Sequence, residues 1–96
     1  MLDFTKKEKK KYKVKLHDGF VAILPMPDKG VFDKMISYQD MTDSSEVYEL
    51  LGIIINQNQK KKYSRAKIEA MFDLDDAVEL LKDYLNFVTG VVSNPN

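Results

Sequence analysis

The fold is decided by the stretch Asp73-Leu74-Asp75-Asp76-Ala77-Val78-Glu79-Leu80-Leu81-Lys82-Asp83-Tyr84-Leu85-Asn86-Phe87-Val88-Thr89-Gly90. Its apolar residues recur every three or four positions, which is the period of an amphipathic helix. Asp73 predicts the start, because its carboxylate can accept a hydrogen bond from the free N–H groups of the first turn. Gly90 predicts an end near Thr89, because glycine readily adopts the left-handed conformation that closes many helices. The rest of the chain must supply this helix with a partner surface.

The apolar residues of this helix form two adjacent stripes. One is aliphatic and consists of Leu74, Val78, Leu81, Leu85 and Val88; the other consists of Ala77, Leu80, Tyr84 and Phe87. Together they cover an arc of roughly 180°, wider than the roughly 100° that a surface helix needs. Either the rest of the domain covers the whole arc, or part of it meets a second molecule. Because aromatic residues are enriched at interfaces, we assign the aliphatic stripe to the core and the following residues to partner binding or self-association: Leu80, Tyr84 and Phe87.

The N-terminal part of the chain predicts a flexible basic arm and a β-hairpin. Residues 1–11 are dominated by lysine and contain little to bury. Residues 12–16 then alternate between polar and apolar side chains, and residues 20–24 form a second β-prone run. Asp18-Gly19 lies between them, and both residues tolerate a positive φ. We therefore expect a short hairpin after the arm.

Three further helices are predicted between residues 29 and 72. Residues 29–39 have a helical period. The capping cluster of residues 43–46 precedes an apolar run over residues 47–55, which we expect to be the most buried helix, with Gly52 permitting a close crossing. A buried strand at Ile53–Ile55 is the alternative, because isoleucine favours strands. Residues 56–63 predict an exposed loop, and Ser64 can cap a short helix after it.

The predicted fold class is therefore mainly α, a small bundle of about four helices preceded by a short N-terminal β-hairpin and a basic arm. We expect the arm over residues 1–11, a single helical domain over residues 12–92, and a tail over residues 93–96 that Pro95 keeps from being helical. A chain of 96 residues allows one modest core. Self-association would help to stabilise so small a domain.

Composition gives no support for catalysis, a cofactor or a metal. The absence of cysteine excludes disulfides and thiolate ligands, and suits a reducing cytoplasm. No signal peptide or membrane span is predicted. The acidic residues that follow Asp73 fail the calcium-loop pattern, since Val78 and Tyr84 occupy the positions of its glycine and its bidentate acid. His17, the only histidine, has no predicted nucleophile beside it. We expect no enzyme.

Positive and negative charges alternate in blocks along a chain of zero net charge. Residues 1–15 carry seven lysines against two acids, and residues 69–83 carry six acids against one lysine. A second basic patch consists of Lys60, Lys61, Lys62 and Arg65. Clustered cations are what nucleic-acid binding requires, but overall neutrality and the acidic final helix oppose it. We expect no nucleic-acid partner beyond weak, nonspecific binding.

Several short sequence words together indicate a family. They are Met26-Pro27-Asp28, Val31-Phe32-Asp33-Lys34, Tyr48-Glu49-Leu50, Lys62-Tyr63-Ser64-Arg65-Ala66-Lys67-Ile68-Glu69, Phe72-Asp73-Leu74-Asp75-Asp76-Ala77 and Tyr84-Leu85-Asn86-Phe87-Val88, with the ending Pro95-Asn96. Through them the chain resembles, over roughly residues 12–96, the small tail assembly chaperones of long-tailed bacteriophages that infect Gram-positive bacteria. The family has no catalytic set, so the resemblance assigns no site residues.

The resemblance implies a non-enzymatic protein without cofactors, encoded between the major tail protein and the tape measure protein. Such chaperones bind and solubilise the long, largely helical tape measure protein in the host cytoplasm, let the tail tube polymerise around it, and are absent from the mature virion. They often self-associate into oligomers and often have a longer, frameshifted form. Two alternatives stay open: a nucleic-acid-binding regulator that uses the lysine clusters, and a dimerising structural adaptor.

Overall fold

The chain forms an N-terminal hairpin followed by four α-helices. The elements are β1 (Tyr12–Lys15), β2 (Val21–Leu24), α1 (Lys29–Ser37), α2 (Ser44–Ile55), α3 (Arg65–Met71) and α4 (Leu74–Ser93), with a 3₁₀ turn, Tyr38–Asp40, after α1. The structure is a computed structural model that describes residues 1–40 and 43–93. The prediction of a mainly α fold with a short hairpin is confirmed. No helix in these two ranges is both long and apolar enough to cross a bilayer.

The hairpin forms around the predicted Asp-Gly turn. The two strands are antiparallel, with Lys15 opposite Val21. Gly19 has a φ of +88°, a conformation that costs a side-chain-bearing residue strain. The Asp18 carboxylate also accepts a hydrogen bond from the backbone N–H of Phe20 at 3.0 Å. Local turn chemistry thus fixes the register of the strands.

Each α-helix begins after a residue whose side chain caps its first turn. A carboxylate or hydroxyl oxygen accepts a hydrogen bond from a backbone N–H of the first turn, and the capping residues are Asp28, Asp43, Ser64 and Asp73. Such a cap contributes about 1 kcal/mol. The predicted starts at Ser64 and Asp73 are confirmed, and the cap of α2 is Asp43, the first residue of the predicted cluster 43–46.

Helix α2 lies at the centre of the domain and contacts β2, α1, α3 and α4. Its buried side chains are Leu50, Leu51, Ile54 and Ile55. The alternative of a strand at Ile53–Ile55 is wrong, because the helix continues to Ile55. The close crossing expected at Gly52 is also wrong, since an added Cβ there would meet no atom within 4 Å.

Helix α4 continues beyond Gly90, so the predicted end at Thr89 is wrong. The helix reaches Ser93, and Gly90 has no positive φ. Glycine inside a helix costs about 1 kcal/mol relative to alanine, and continuing the helix keeps Val91 half-buried. The predicted tail therefore begins one residue too early, and residues 94–96 lie outside the described residues.

The face of α4 that packs on the domain runs between the two predicted stripes. Tyr84 is 0% exposed and lies in the core rather than at a partner surface, while Leu80 is 6% exposed, so partner binding by Leu80 stays a prediction. The phenol of Tyr84 donates to the carbonyl of Pro25 at 2.5 Å and accepts from Gln57 Nε2 at 3.1 Å, which ties α4 to the hairpin and to the end of α2. Leu74, assigned to the core, is 53% exposed.

Residues 56–63 are more ordered than the predicted exposed loop. Asn58 is 2% exposed, and its amide nitrogen donates to the carbonyls of Ile55 and Lys61, both at 2.7 Å. Its amide oxygen accepts from the backbone N–H groups of Lys60 and Lys61. Asn58 therefore holds a turn, which brings the buried Tyr63 ring into the core.

Candidate protein-binding groove

An open groove of about 300 Å³ separates β1 and the hairpin turn from α4. Its apolar lining consists of Val14, Leu16, Phe72 and Leu80. The lining includes residues of β1, the turn and α4. The described lining contains no residue of β2, so the groove lies beside β1 rather than β2.

Three carboxylates form one edge of the groove. Asp76, Glu79 and Asp83 are spaced by three and four residues, so they project from the same face of α4. Asp83 Oδ2 accepts a hydrogen bond from the Tyr12 phenol at 2.5 Å, and Asp76 Oδ2 lies 2.8 Å from His17 Nε2. Glu79 between them is exposed and makes no hydrogen bond or ion pair with any described residue. The groove thus presents negative charge at its middle.

The two hydrogen-bonded acids connect the hairpin to α4 at opposite ends of the groove. Burial, and then the hydrogen bond to Asp83, raise the pKa of the Tyr12 phenol well above its usual range, so it stays a donor at neutral pH. His17 also packs edge-on against the Phe72 ring, with centroids 4.6 Å apart. These contacts fix the width of the groove. No serine, threonine or cysteine occurs among the described residues that line it.

The outer edge of β1 carries unpaired backbone groups. Leu16 N–H bonds across the hairpin at 2.8 Å, and paired and unpaired residues alternate along an antiparallel strand. Counting back by two, Val14 also directs its backbone groups at β2. Those of Lys13 and Lys15 therefore point outward, and within the described chain β1 has β2 as its sole strand neighbour. Such an edge can accept a further strand.

Phe87 extends the aromatic end of the groove. Its ring centroid lies 5.5 Å from that of Tyr12 and 6.3 Å from that of Tyr84. Unlike Tyr84, Phe87 is half-buried, so part of its ring is accessible. Of the three residues predicted to bind a partner, Leu80 lies in the groove floor, Tyr84 lies in the core, and Phe87 lies at the surface. Partner binding by Phe87 stays a prediction.

Three of the four charges of the basic patch, Lys60, Lys61, Lys62 and Arg65, are engaged within the chain. Lys61 Nζ donates to Asp18 at 2.8 Å, and Lys62 Nζ donates to the carbonyls of Asn56 and Asn58 at 2.6 and 2.7 Å. Arg65 pairs with Glu69 and donates to the carbonyl and the hydroxyl of Ser45, both at 3.0 Å. Lys60 is exposed and has no side-chain partner among the described residues. Lys61, Lys62 and Arg65 therefore act mainly as structural contacts.

Sequence reasoning missed the acidic row of α4 as a possible site. In the sequence the carboxylates at 76, 79 and 83 stand out only as part of the acidic block of residues 69–83. Their spacing by three and four was a usable signal, but only the position of β1 beside α4 shows that they border a groove. The described residues contain no group of three or more histidines, cysteines or acids arranged to hold a metal ion.

Comparisons with known proteins give no family assignment. No family model matches the sequence, and neither the curated proteins nor the solved structures include a match.

Proposed function

We propose that the chain is a non-enzymatic tail assembly chaperone, which binds and solubilises the tape measure protein in the cytoplasm of the phage's host and does not remain in the mature virion. The proposal starts from the sequence words that resemble this family. The observation that carries it is the groove between β1 and α4. An apolar floor, an acidic edge and an open strand edge are suited to holding a segment of another polypeptide.

The chemistry of the groove specifies the kind of segment that it would hold. The floor is apolar, and Glu79 is available to pair with a cation. A segment with apolar residues flanked by lysine or arginine would satisfy both features. Phe87 would add aromatic contact area at one end, as aromatic residues often do at interfaces. We expect such segments in the tape measure protein.

Co-expression with the long protein encoded immediately downstream tests this proposal. The wild-type chain should keep that protein soluble and be captured with it. Phe87→Asp should abolish capture while the chain stays folded, because it places an unpaired charge in a desolvated contact. Leu74→Asp is the matched control, since it adds the same charge at an exposed position of the same helix and should leave capture unchanged.

A second variant tests the groove without changing the half-buried Phe87. Glu79→Lys changes an exposed side chain of the groove edge and should also weaken capture. Glu49→Lys makes the same change on the exposed surface of α2 and should have no effect. If both groove variants fold and still capture the long protein, or if the wild-type chain never captures it, the proposal is wrong.

A further inference from the structure

The N-terminal arm has a composition that complements the groove. Residues 1–11 contain five lysines against Asp3 and Glu8. Leu2 and Phe4 are 71% and 69% exposed. The arm's contacts are local, namely hydrogen bonds from Thr5 to Asp3 and the Lys7 ammonium 5.7 Å from the Phe4 ring. The arm therefore presents cations and apolar side chains that the single chain leaves uncovered.

The lysines of the arm are spaced to match the acidic row. In an extended segment alternate residues share a face, so Lys7, Lys9 and Lys11 project together, over about 13 Å. The row from Asp76 to Asp83 extends about 10 Å along the helix. One side of an extended arm can therefore meet the whole acidic edge.

The opposite side of the arm has one acid between two lysines. Glu8 projects to that side. If the arm added to the outer edge of β1, this side would lie over the exposed side chains of Lys13 and Lys15. Opposite charges on neighbouring strands are stabilising. Lys6 and Lys10 project to the same side as Glu8, so the charge match of the added strand rests on the side that faces the acidic row.

We propose that the groove between β1 and α4 binds the N-terminal arm, residues 1–11, of a second copy of the chain as an extra strand along β1. The arm's backbone pairs with the outward N–H and C=O groups of β1, and its odd-numbered lysines face the acidic row. This inference goes beyond the proposed function and does not depend on the identity of the client, and it implies that the arm and a client segment compete for the same groove.

The second copy, rather than the same chain, supplies the arm because of how the arm joins β1. Lys11 is followed directly by Tyr12, the first residue of β1. To lie along its own β1, the arm would have to reverse within residues 9–11. Tight turns favour glycine, asparagine or aspartate, whereas these residues are all lysine. Lys9 and Lys11 would then lie in the turn and could not face the acidic row.

Sedimentation velocity of the full chain alone, over a range of concentrations at low salt, tests the inference. The wild-type chain should self-associate, and we expect both Lys7→Glu with Lys9→Glu, and Glu79→Lys alone, to weaken association by at least about tenfold. Mixing the arm variant with the Glu79→Lys variant should restore association. The arm with reversed charge at positions 7 and 9 can then bind the groove with reversed charge at position 79.

A control within the same arm separates strand pairing from general attraction. Lys6→Glu with Lys10→Glu makes the same charge change on the other side, beside Lys13 and Lys15, and should preserve or strengthen association. Circular dichroism of each variant shows whether a loss of association reflects unfolding. Glu79→Gln, which removes the charge without reversing it, is compared in the same way. A wild-type monomer at all concentrations overturns the inference, as do equal effects of the two lysine pairs or a mixture that fails to associate. No client protein is present, so this outcome is independent of the proposed function.

Discussion

Asn58 is the buried polar residue that organises the turn after α2. All four of its side-chain hydrogen-bonding positions are used, two by carbonyls and two by backbone N–H groups. Asn58→Ala would remove this partner from the Lys61 carbonyl and from the N–H groups of Lys60 and Lys61, whereas the Ile55 carbonyl keeps its bond from the backbone N–H of residue 58. We expect a loss of roughly 1–3 kcal/mol in the free energy of unfolding, measured by urea denaturation. The exposed neighbour Gln59→Ala should change it by less than about 0.5 kcal/mol. Equal effects of the two substitutions would contradict this role.

Asp18 connects the hairpin turn to the segment before α3. Hydrogen bonds from Lys61 Nζ, then from the backbone N–H of Phe20 and from the Tyr63 hydroxyl, hold the pKa of its carboxyl well below the usual range. Because the folded pKa is depressed, the stabilisation is fully present above the unfolded value of about 4 and is lost as pH falls toward the folded pKa.

Thermal melts between pH 2 and pH 7 test the contribution of Asp18. We expect Asp18→Asn to lower the melting temperature at pH 7, and the gap to the wild-type chain to narrow as the pH falls below about 4. Asp40→Asn, at an exposed position with no ion-pair partner among the described residues, is the control. A gap that stays constant with pH would show that the charge of Asp18 does not stabilise the fold.

Two glycines, in α2 and in the hairpin turn, should respond oppositely to alanine. Gly52 lies inside α2, and an added Cβ there would meet no atom within 4 Å. Gly52→Ala should therefore stabilise the chain by about 1 kcal/mol, because alanine loses less backbone entropy in a helix. Gly19→Ala should destabilise it, since Gly19 has a φ of +88°. Chemical denaturation of both variants measures the two signs, and a destabilising Gly52→Ala would reveal a contact that the structure lacks.

The starts of the helices could be predicted from the sequence, while the buried face of α4 could not. Asp43, Ser64 and Asp73 cap their helices through hydrogen bonds to residues two or three positions away, so the signal is entirely local. Which side of α4 is buried depends on the positions of β1 and α2. Tyr84 faces inward because Pro25 and Gln57, both distant in sequence, surround its hydroxyl. For the same reason the groove could not be predicted.

At the scale of the whole molecule, the basic patch and the groove give little support to nucleic-acid binding, and the exposed lysines of the arm are cations that remain accessible. Lys61, Lys62 and Arg65 are occupied within the chain, and the accessible groove has an acidic edge. We expect only weak, strongly salt-dependent binding of DNA or RNA at physiological salt, as measured by gel shift. A complex that prefers one nucleic-acid sequence would instead favour the alternative of a nucleic-acid-binding regulator.

Helix α2 contacts β2 and α1, which precede it in the sequence, and α3 and α4, which follow it. Neither half of the chain therefore contains a complete core. A two-stranded hairpin is marginal by itself, and isolated helices of these lengths are marginal in water. A chain cut after Gln59 should therefore give two fragments that are largely unfolded alone and regain helix when mixed. Circular dichroism of the fragments, separately and together, would detect this complementation.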